Sequence, residues 1–390
     1  MAIWYYRQGS LEGLRRAVRW NPRNPRFVAA LARGLTLEGA DPAEVVRLYE
    51  HAARLEPAQA DYWAQLGGAY EWAGREEEAR RAYERARELF PNSPDINWQL
   101  GNFYVRAGRT RDALHALAKT VRSDPGMGPA AFDVAWRAGI PAEQILAEML
   151  PSDQAILLSY LSYLLGTQRL DEAGRVWARV LASKAAFEPQ AAFRYLDALI
   201  AHRRIEELTA AWAALAERNP TLIPSRRREH NLMTDGGFED AVLNGGLGWR
   251  VAPLEGAAVE VDNLTFFDGA HSFAVHFDGK HNLDYGHVYQ YVPVRPDTAY
   301  RFTGYMRTRG ITTDSGPRFL ILDAYSRAKL SAATQDLRGT AGWTPVQLDF
   351  RTGPDTRLLL VQLARLPSWK FDNQIAGTVW IDHLTLSLVE

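Results

Sequence analysis

The first half of the chain carries apolar residues at the spacing of amphipathic helices. Up to about Pro220 the sequence is rich in Ala, Leu, Arg and Glu, and apolar residues recur with helical periodicity. After the basic segment 225–230 the pattern changes to strict alternation, as in HSFAVHF (271–277) and TPVQLDF (344–350). Alternation of this kind is the period of strands. We therefore predict a multidomain chain, with an α-helical domain over 1–224, a hinge at 225–230 and a β domain over 231–390.

The helical half contains an internal repeat with a period of 34 residues. Segment 61–91 aligns with segment 95–125, and the residues shared at this offset include Leu66/Leu100, Gly67/Gly101, Tyr70/Tyr104, Gly74/Gly108, Ala79/Ala113 and Pro91/Pro125. The small residues Gly67 and Ala79 are expected where two antiparallel helices approach each other. Gly74 then breaks the chain between the helices, and Pro91 ends the second helix.

The order W-x2-L-G-x2-Y…A-x3-Y-x2-A…P in 63–91 resembles the tetratricopeptide repeat. The pattern continues more weakly in both directions and predicts about six helix pairs plus an N-terminal fragment. Stacked pairs of this type form a right-handed superhelix with a concave groove. The resemblance implies that a protein partner binds there, with candidate groove residues Tyr70, Trp72, Asn102 and Tyr104, although the two tyrosines occupy a position that usually packs between helices.

The start of the chain does not read as a terminal repeat. Residues 3–6 are apolar, whereas an end repeat normally has a polar outer face. We expect the natural protein to continue upstream, into a segment such as a membrane anchor. The N-terminus has no apolar signal-peptide region, and the longest near-apolar run, 155–165, is too short to span a membrane. No membrane span is therefore predicted in this chain.

The second half predicts an antiparallel β-sandwich. Eight short segments alternate between apolar and polar residues and are separated by turn signals. The predicted strands are 257–262, 271–277, 287–294, 299–309, 317–323, 344–351, 357–364 and 378–388.

Several short sequence segments of the second half occur in an order that is found in a known family. NLMTDGGFED (231–240) is followed by Gly248-Trp249, DGAHSFAVHF (268–277), TPVQLDF and VWIDHLTL (379–386). This order is similar to the jelly-roll carbohydrate-binding modules of families four, nine and twenty-two. A repeat array joined to such a module also resembles a group of bacterial envelope proteins associated with exopolysaccharide production. The resemblance implies that this domain binds a polysaccharide.

The same resemblance implies a structural calcium ion. In those modules a calcium often joins the first and last strands, and the matching positions are Glu239 and Asp382. Oxygen atoms near Asp268 and Ser272 would complete the shell of six to eight ligands that calcium prefers. The alternative is that Glu239 and Asp382 are ordinary polar residues at strand ends.

A polysaccharide site needs a flat aromatic face and a few planar polar groups. Candidates lie in loops 280–287, 311–318 and 364–373 and on two strands, and they are His281, Asp284, Tyr285, His287, Tyr289, Arg307, Asp314, Arg318, Arg365, Trp369 and Asn373. We expect the site to centre on Trp369 and Tyr285, because rings in polar loops stay exposed unless a ligand covers them. Polar groups would come from Arg318, Asp314 and Arg365.

Each of these assignments has a structural alternative. The alternative role of Trp249 and Trp380 is to pack inside the sandwich. That of Trp343 is to cover the apolar residues at the edge of a strand. Arg318, Arg365 and Asp314 could pair with one another within a loop network, and Trp369 could cover the core. His281 and His287 lack a third ligand at the spacing of a metal site.

Composition narrows the functional classes. The 390 residues include 45 Lys plus Arg and 46 Asp plus Glu, for a net charge of −1, which argues against nucleic-acid binding. The absence of cysteine excludes zinc–thiolate sites, disulfides and thiol nucleophiles. The sequence also lacks the GxSxG, HExxH and Walker A motifs.

Three functions remain open. The first is a non-catalytic scaffold, whose β domain binds a polysaccharide and whose repeats recruit a protein. The second is a structural protein that makes protein contacts, or self-assembles, through both domains. The third is a glycan-active enzyme, since the two carboxylates of a glycosidase need no fixed spacing in sequence. The first favours a periplasmic or extracellular location, with the cytoplasm as the open alternative.

Overall fold

The computed structural model describes residues 1–7, 9–150, 153–183, 185–220 and 231–389. The chain divides into two compact units, Met1–Ala185 and Ala186–Glu390. The second unit therefore contains the last helix pair together with the β domain, whereas the sequence pattern had placed the division after residue 224. The predicted hinge at 225–230 lies outside the described residues.

The first unit is helical. A 3₁₀ turn spans Pro125–Met127, and α10 continues into a π-helical turn at Ile145–Met149. The helices are α1 (Ala2–Arg7), α2 (Leu11–Trp20), α3 (Pro25–Leu37), α4 (Pro42–Leu55), α5 (Ala60–Trp72), α6 (Glu76–Leu89), α7 (Pro94–Arg106), α8 (Thr110–Ser123), α9 (Gly128–Arg137), α10 (Ala142–Gln144), α11 (Gln154–Gly166) and α12 (Leu170–Ala182).

Capping residues set the start of several of these helices. Asn24, Asp41 and Ser93 precede α3, α4 and α7, and each side chain accepts a hydrogen bond from an amide of the first turn. A proline follows each of the three caps, where its missing N–H costs nothing. The caps thus begin the helices where the 34-residue period requires them.

The predicted close approach of paired helices is confirmed. A Cβ atom added to Gly67 of α5 would lie 2.7 Å from the Tyr83 ring of α6, and one added to Gly101 of α7 would lie 2.9 Å from Leu117 of α8. Gly74, between α5 and α6, has a φ of 71°, a conformation that glycine adopts readily. The repeat therefore needs glycine at both kinds of position.

The second unit begins with two helices, α13 (Gln190–Ala201) and α14 (Ile205–Arg218). Ten strands follow within the described residues 231–389, and they form two five-stranded antiparallel sheets. The first sheet has the order β1-β4-β9-β6-β7, and the second has the order β2-β3-β10-β5-β8. The strands are β1 (Arg250–Val251), β2 (Ala257–Asp262), β3 (Ser272–Asp278), β4 (Tyr285–Pro293), β5 (Ala299–Ile311), β6 (Arg318–Asp323), β7 (Ser331–Ala333), β8 (Gly339–Arg351), β9 (Leu358–Arg365) and β10 (Ala376–Leu388).

The predicted helices-then-sandwich architecture is confirmed. All eight predicted strands are present within a few residues of their expected ends, and of the strands in the described residues the prediction missed the short β1 and β7. Phe273, Val275 and Phe277 of β3 face the core between the sheets, as their alternation predicts. Val379 and Ile381 of β10 lie in the same core.

The helix pair α13–α14 packs on the side of the first sheet. Gly245 and Gly246, which precede β1, lie against the rings of Phe193 and Trp212, with no room for a Cβ atom. Further contacts are the ion pair of Arg250 with Asp197 and the hydrogen bond that the Tyr325 hydroxyl donates to the Ile200 carbonyl at 2.6 Å. The last helix pair is therefore part of the second unit.

Candidate functional site

A buried arginine gathers three loops at one end of the sandwich. Arg365, the last residue of β9, is 0% exposed. Its guanidinium donates to the main-chain carbonyls of Leu283 at 2.6 Å, Asn373 at 2.9 Å and Ser315 at 3.2 Å. Burial lowers the pKa of Arg365, and the carboxylates of Asp314 and Asp284 oppose that shift. The predicted role of Arg365 in binding hydroxyl groups is wrong, because its donors are used inside the protein.

Tyr285 is also a structural residue. It is the first residue of β4, it is only 2% exposed, and it belongs to the core between the sheets. Its hydroxyl has no hydrogen-bond partner among the described residues, and burial raises its pKa. The prediction that its ring is exposed for stacking is wrong. Trp249 likewise packs in this core, where its ring lies 5.1 Å from that of Phe238.

The gathered loops present two exposed rings. Trp369 and Phe371 are fully exposed, so Trp369 does not cover the core. Lys370, between them, pairs with Asp314 at 3.1 Å. Asp314 also accepts a 2.5 Å hydrogen bond from the Ser368 hydroxyl, and the bonds from Ser368 and Lys370 lower its pKa.

The other predicted loop residues have separate environments. Asp284 is exposed, and Asn373 contributes its main-chain carbonyl to Arg365. Arg318 lies 3.5 Å from Asp336 and donates to the Ser315 hydroxyl at 3.2 Å, in the loop whose carbonyl Arg365 binds. His281 contacts Asp278 at 3.2 Å.

The strand residues predicted for the sugar site do not converge. His287 and Tyr289 lie on β4 in the first sheet, whereas Arg307 lies on β5 in the second. The predicted residues are thus divided among the end loops and the two sheets. A single cleft containing all of them is not present in the described part of the chain.

The outer face of the second sheet carries a polar and aromatic row that the sequence analysis largely missed. Glu260, Ala274, Trp380 and Arg307 stand beside one another on β2, β3, β10 and β5. Between Met306 and Thr308 of β5 the register to β8 shifts, and in the resulting bulge Gly342 and Trp343 lie opposite Arg307. Two tryptophans therefore flank one arginine across the sheet.

Trp380 packs on this outer face and not between the sheets. Its neighbours Val379 and Ile381 point into the core, so alternation turns Trp380 outward. It is still only 3% exposed, because the guanidinium groups of Arg307 and Arg309 lie 5.6 and 5.2 Å from its ring centroid. The expectation that it packs inside the sandwich is wrong.

Further aromatic rings continue the row. Phe267, from the β2–β3 loop, stacks on Tyr305 with centroids 3.6 Å apart and planes at 15°, and the half-buried Trp343 meets its edge at 6.0 Å. Phe267 is 40% exposed. We use the name second-sheet face for the surface formed by Glu260, Phe267, His276, Arg307, Arg309, Trp343 and Trp380.

The residues predicted to bind calcium have other partners. Glu239 accepts hydrogen bonds from the amides of Ala270 at 2.8 Å and His271 at 3.2 Å. Asp382 is buried and accepts from the amides of Phe267 at 2.7 Å and Asp268 at 3.0 Å. Ser272 Oγ donates to the Thr265 carbonyl. Both carboxylates therefore anchor the β2–β3 loop.

This arrangement does not fit calcium. N–H donors occupy the positions where a cation would need to approach, and the described residues contain no group of three or more His, Asp or Glu placed to hold a metal. Burial raises the pKa of Asp382 despite its amide donors. For Glu239 burial acts in the same direction, but the hydrogen bonds from Ala270 and His271 outweigh it and lower the pKa.

A neighbouring carboxyl group was not anticipated. Asp235 lies beside a cavity of about 220 Å³ and accepts hydrogen bonds from the amides of Glu239 at 2.9 Å and Asp240 at 3.2 Å. Burial raises its pKa to about 6. The sequence offers only an Asp-Gly-Gly turn at this point, which does not reveal a buried carboxyl.

The predicted groove residues of the repeats have two different roles. Tyr104 is 2% exposed, and its hydroxyl donates to Glu84 at 2.8 Å. The Tyr70 hydroxyl makes the equivalent bond to Glu50 at 2.7 Å, so both tyrosines join successive helix pairs. The prediction that Tyr104 lines the groove is therefore wrong. The Tyr70 hydroxyl is occupied by its hydrogen bond to Glu50.

Trp72 and Asn102 lie on helix faces that remain accessible. Trp72 of α5 is 42% exposed. Its equivalent one period later is Arg106 of α7, which forms an ion pair with Glu71 at 2.5 Å. Asn102 is half-buried and donates to the Trp98 carbonyl at 2.8 Å. The repeated faces of α5 and α7 thus combine an aromatic ring with charged and amide groups.

Comparison with known families supports the repeat prediction. Residues 73–133 match the tetratricopeptide repeat. No curated protein matches the chain at a significant level. No helix among the described residues is long and apolar enough to cross a membrane.

Several solved structures resemble parts of the chain. YrrB, described as a tetratricopeptide protein with an unusual peptide-binding site, is 16% identical, with 54% of this chain and 94% of that chain covered and a TM-score of 0.29. A family 16 carbohydrate-binding module is 21% identical, with coverage of 41% and 100% and a TM-score of 0.29. The enzymatically active domain of bacteriophage CBA120 tailspike protein 4 is 13% identical, with coverage of 41% and 21% and a TM-score of 0.27. Likenesses at this level carry no argument about function.

Proposed function

We propose that the protein is a non-catalytic scaffold, whose β-sandwich binds a polysaccharide and whose helical repeats bind a protein partner. Such a scaffold would act in bacterial exopolysaccharide or cell-envelope biology, in the periplasm or outside the cell. The observation that carries the proposal is the second-sheet face, where Trp343 and Trp380 flank Arg307.

The chemistry of this face suits a sugar polymer. Pyranose rings present an apolar side that stacks on aromatic rings, and hydroxyl groups that bond to planar polar groups. Phe267 and Trp343 supply partly exposed rings, and Arg307 and Glu260 supply the polar groups. The helix pair α13–α14 packs on the side of the other sheet, and Phe267, Arg307 and Arg309 of this face are exposed. A face that crosses all five strands also suits an extended chain.

Trp369 offers a second platform. Its ring is fully exposed at the tip of the end loops, beside the exposed ring of Phe371. An exposed ring of this size gains free energy when a ligand covers it. The two platforms can be separated by mutation, since they lie on different parts of the sandwich.

The test is a glycan array with the full chain, followed by affinity electrophoresis. Trp343→Ala should weaken retention by the bound glycan about thirtyfold, the usual cost of a stacking residue at a binding hot spot. Trp369→Ala reports on the second platform, and Trp20→Ala, an exposed ring of the helical unit, is the matched control. An array with no binding, or binding unchanged in both sandwich variants, would contradict the proposal.

The repeats support the second half of the proposal. Stacked helix pairs present long surfaces suited to an extended or helical peptide. Panning a random peptide library against the full chain should enrich peptides whose binding is lost with Trp72→Ala and retained with Trp20→Ala. If no peptide is enriched, or if Trp72→Ala binds as the parent does, the repeats do not bind through this face.

A further inference from the structure

We infer that the second-sheet face selects an acidic polysaccharide and that Arg307 and Arg309 bind the carboxylates of its uronic acid residues. This inference rests on the proposed polysaccharide binding and adds the class of sugar. It follows from the charges that the face leaves without partners.

Arg307 and Arg309 have no carboxylate partner. Both lie on β5 with exposed side chains whose guanidinium groups rest on the Trp380 ring, and neither forms an ion pair with any residue that the structure describes. Arg301, further along the same face of the same strand, differs in this respect. Its guanidinium makes two hydrogen bonds of 2.7 Å to the two carboxylate oxygens of Asp349.

The nearby acids are engaged elsewhere. Glu260 accepts a bond from the His276 ring at 2.8 Å, and Asp262 accepts one from the Trp380 indole at 2.8 Å. His276 in turn contacts the Thr378 hydroxyl at 3.0 Å. These contacts keep the two carboxylates from the guanidinium groups, which leaves two adjacent cations facing outward.

Trp380 holds the two guanidinium groups in place. Stacking on an aromatic face orients a guanidinium while leaving the N–H groups at its rim free to donate. A planar guanidinium with free N–H groups binds a carboxylate through two parallel hydrogen bonds. Residues two apart on a strand point to the same side, so Arg307 and Arg309 can each take one carboxylate of the same chain. The flanking rings of Trp343 and Phe267 would stack on the sugars.

The test compares polygalacturonate with its fully methyl-esterified form, which has the same backbone without the charge. The full chain should bind polygalacturonate at least about tenfold more tightly, because hydrogen bonds to charged groups are worth that much. Added salt should weaken that preference. In Arg307→Gln/Arg309→Gln the preference should disappear. In the control Arg301→Gln/Arg351→Gln, which removes the same charge from the same sheet, it should remain. Unfolding curves establish that both variants fold.

The remaining outcomes are distinguishable. Equal binding of the charged and esterified polymers, or a preference that survives Arg307→Gln/Arg309→Gln, would overturn the acidic-sugar inference but leave polysaccharide binding in place. Equally tight binding of single-stranded DNA or of anionic lipid vesicles would also overturn it, since the face would then recognise negative charge of any origin. Failure to bind any polysaccharide, on the array as well, would overturn the proposed function itself.

Discussion

At the scale of single residues, Arg365 binds a main-chain carbonyl in each of the three end loops. We predict that Arg365→Lys lowers the free energy of unfolding by about 3 kcal/mol, because one ammonium group cannot reach three separate loops and buried carbonyls lose their donors. Chemical denaturation measures the change. Arg338→Lys, at an exposed arginine, should have little effect. Equal stability of the parent and Arg365→Lys would show that the loops hold together without the guanidinium.

Glu239 tests the calcium prediction. Since its carboxylate bonds to the amides of the β2–β3 loop, we predict that Glu239→Gln lowers the free energy of unfolding by about 1–2 kcal/mol. The melting temperature of the parent should not change when a chelator is added. A drop with chelator that Glu239→Gln abolishes would show that calcium binds here after all.

Asp235 gives the protein a pH-dependent contribution to stability. Its pKa is raised to about 6, above the value of about 3.9 in an unfolded chain, so the folded state holds the proton more tightly. The contribution of the Asp235 proton to the stability of the folded state is complete below about pH 4 and is lost as the pH rises through about 6. We predict that the parent becomes less stable relative to Asp235→Asn as the pH rises from about 4 to about 6, which the unfolding free energies of both proteins measure. Asp355→Asn, at an exposed carboxylate, should show no such change.

Tyr285 and Trp380 show what the sequence could not reveal about single residues. The strand prediction began at residue 287, whereas β4 begins at Tyr285, so a difference of two residues moves this ring from a loop into the core. Trp380 stands in an apolar run, Val379 to Ile381, where alternation alone does not distinguish the two faces. The hydrogen-bond partners of Arg365 come from three loops that are distant in sequence, and no local sequence pattern predicts them.

At the scale of elements, the helix pairs depend on close contact at one glycine. Gly67 and Gly68 are neighbours in α5, but a Cβ atom added to Gly67 would lie 2.7 Å from the Tyr83 ring carbons, whereas one added to Gly68 would only reach the Tyr83 hydroxyl at 3.4 Å. We predict that Gly67→Ala destabilises the protein by about 1–3 kcal/mol through overpacking. Gly68→Ala should be neutral or stabilising by up to about 1 kcal/mol, since alanine favours helix.

Thermal or chemical unfolding of the two alanine variants decides this point. Equal effects of Gly67→Ala and Gly68→Ala would mean that the helices can move apart at no cost. The elements themselves were largely predictable, because a fixed repeat period and strict alternation are local signals. Their short exceptions, β1 and β7, carry too few residues for a periodic pattern.

At the scale of the whole molecule, the boundary between the units differs from the change in sequence pattern. That pattern reports which secondary structure a segment forms, whereas a compact unit is defined by packing. The packing of α13–α14 depends on Gly245 and Gly246 lying against the rings of Phe193 and Trp212, residues that are distant from them in sequence.

This difference predicts how the chain can be divided. A fragment of 186–390 should fold and melt cooperatively, whereas 231–390 should melt at a lower temperature, because removal of the helices exposes the apolar surface around Gly245 and Gly246. Calorimetry of the two fragments measures this. If both melt at the same temperature, the helix pair contributes nothing to the stability of the sandwich.

The hydrogen bonds of Arg365 have a consequence for how new binding specificities could arise at this end of the sandwich. In each of the three loops the guanidinium holds a main-chain carbonyl, and every amino acid supplies that group. Loop side chains other than Asn282 and Thr313, which also accept hydrogen bonds from the guanidinium, and Ser368, which bonds Asp314, can therefore be exchanged while the loops keep their positions. The end of the sandwich can act as a fixed frame for variable sequences, much as antibody loops vary on a constant scaffold. Libraries built at 366–372, with Arg365 and Ser368 retained, would start from a folded protein.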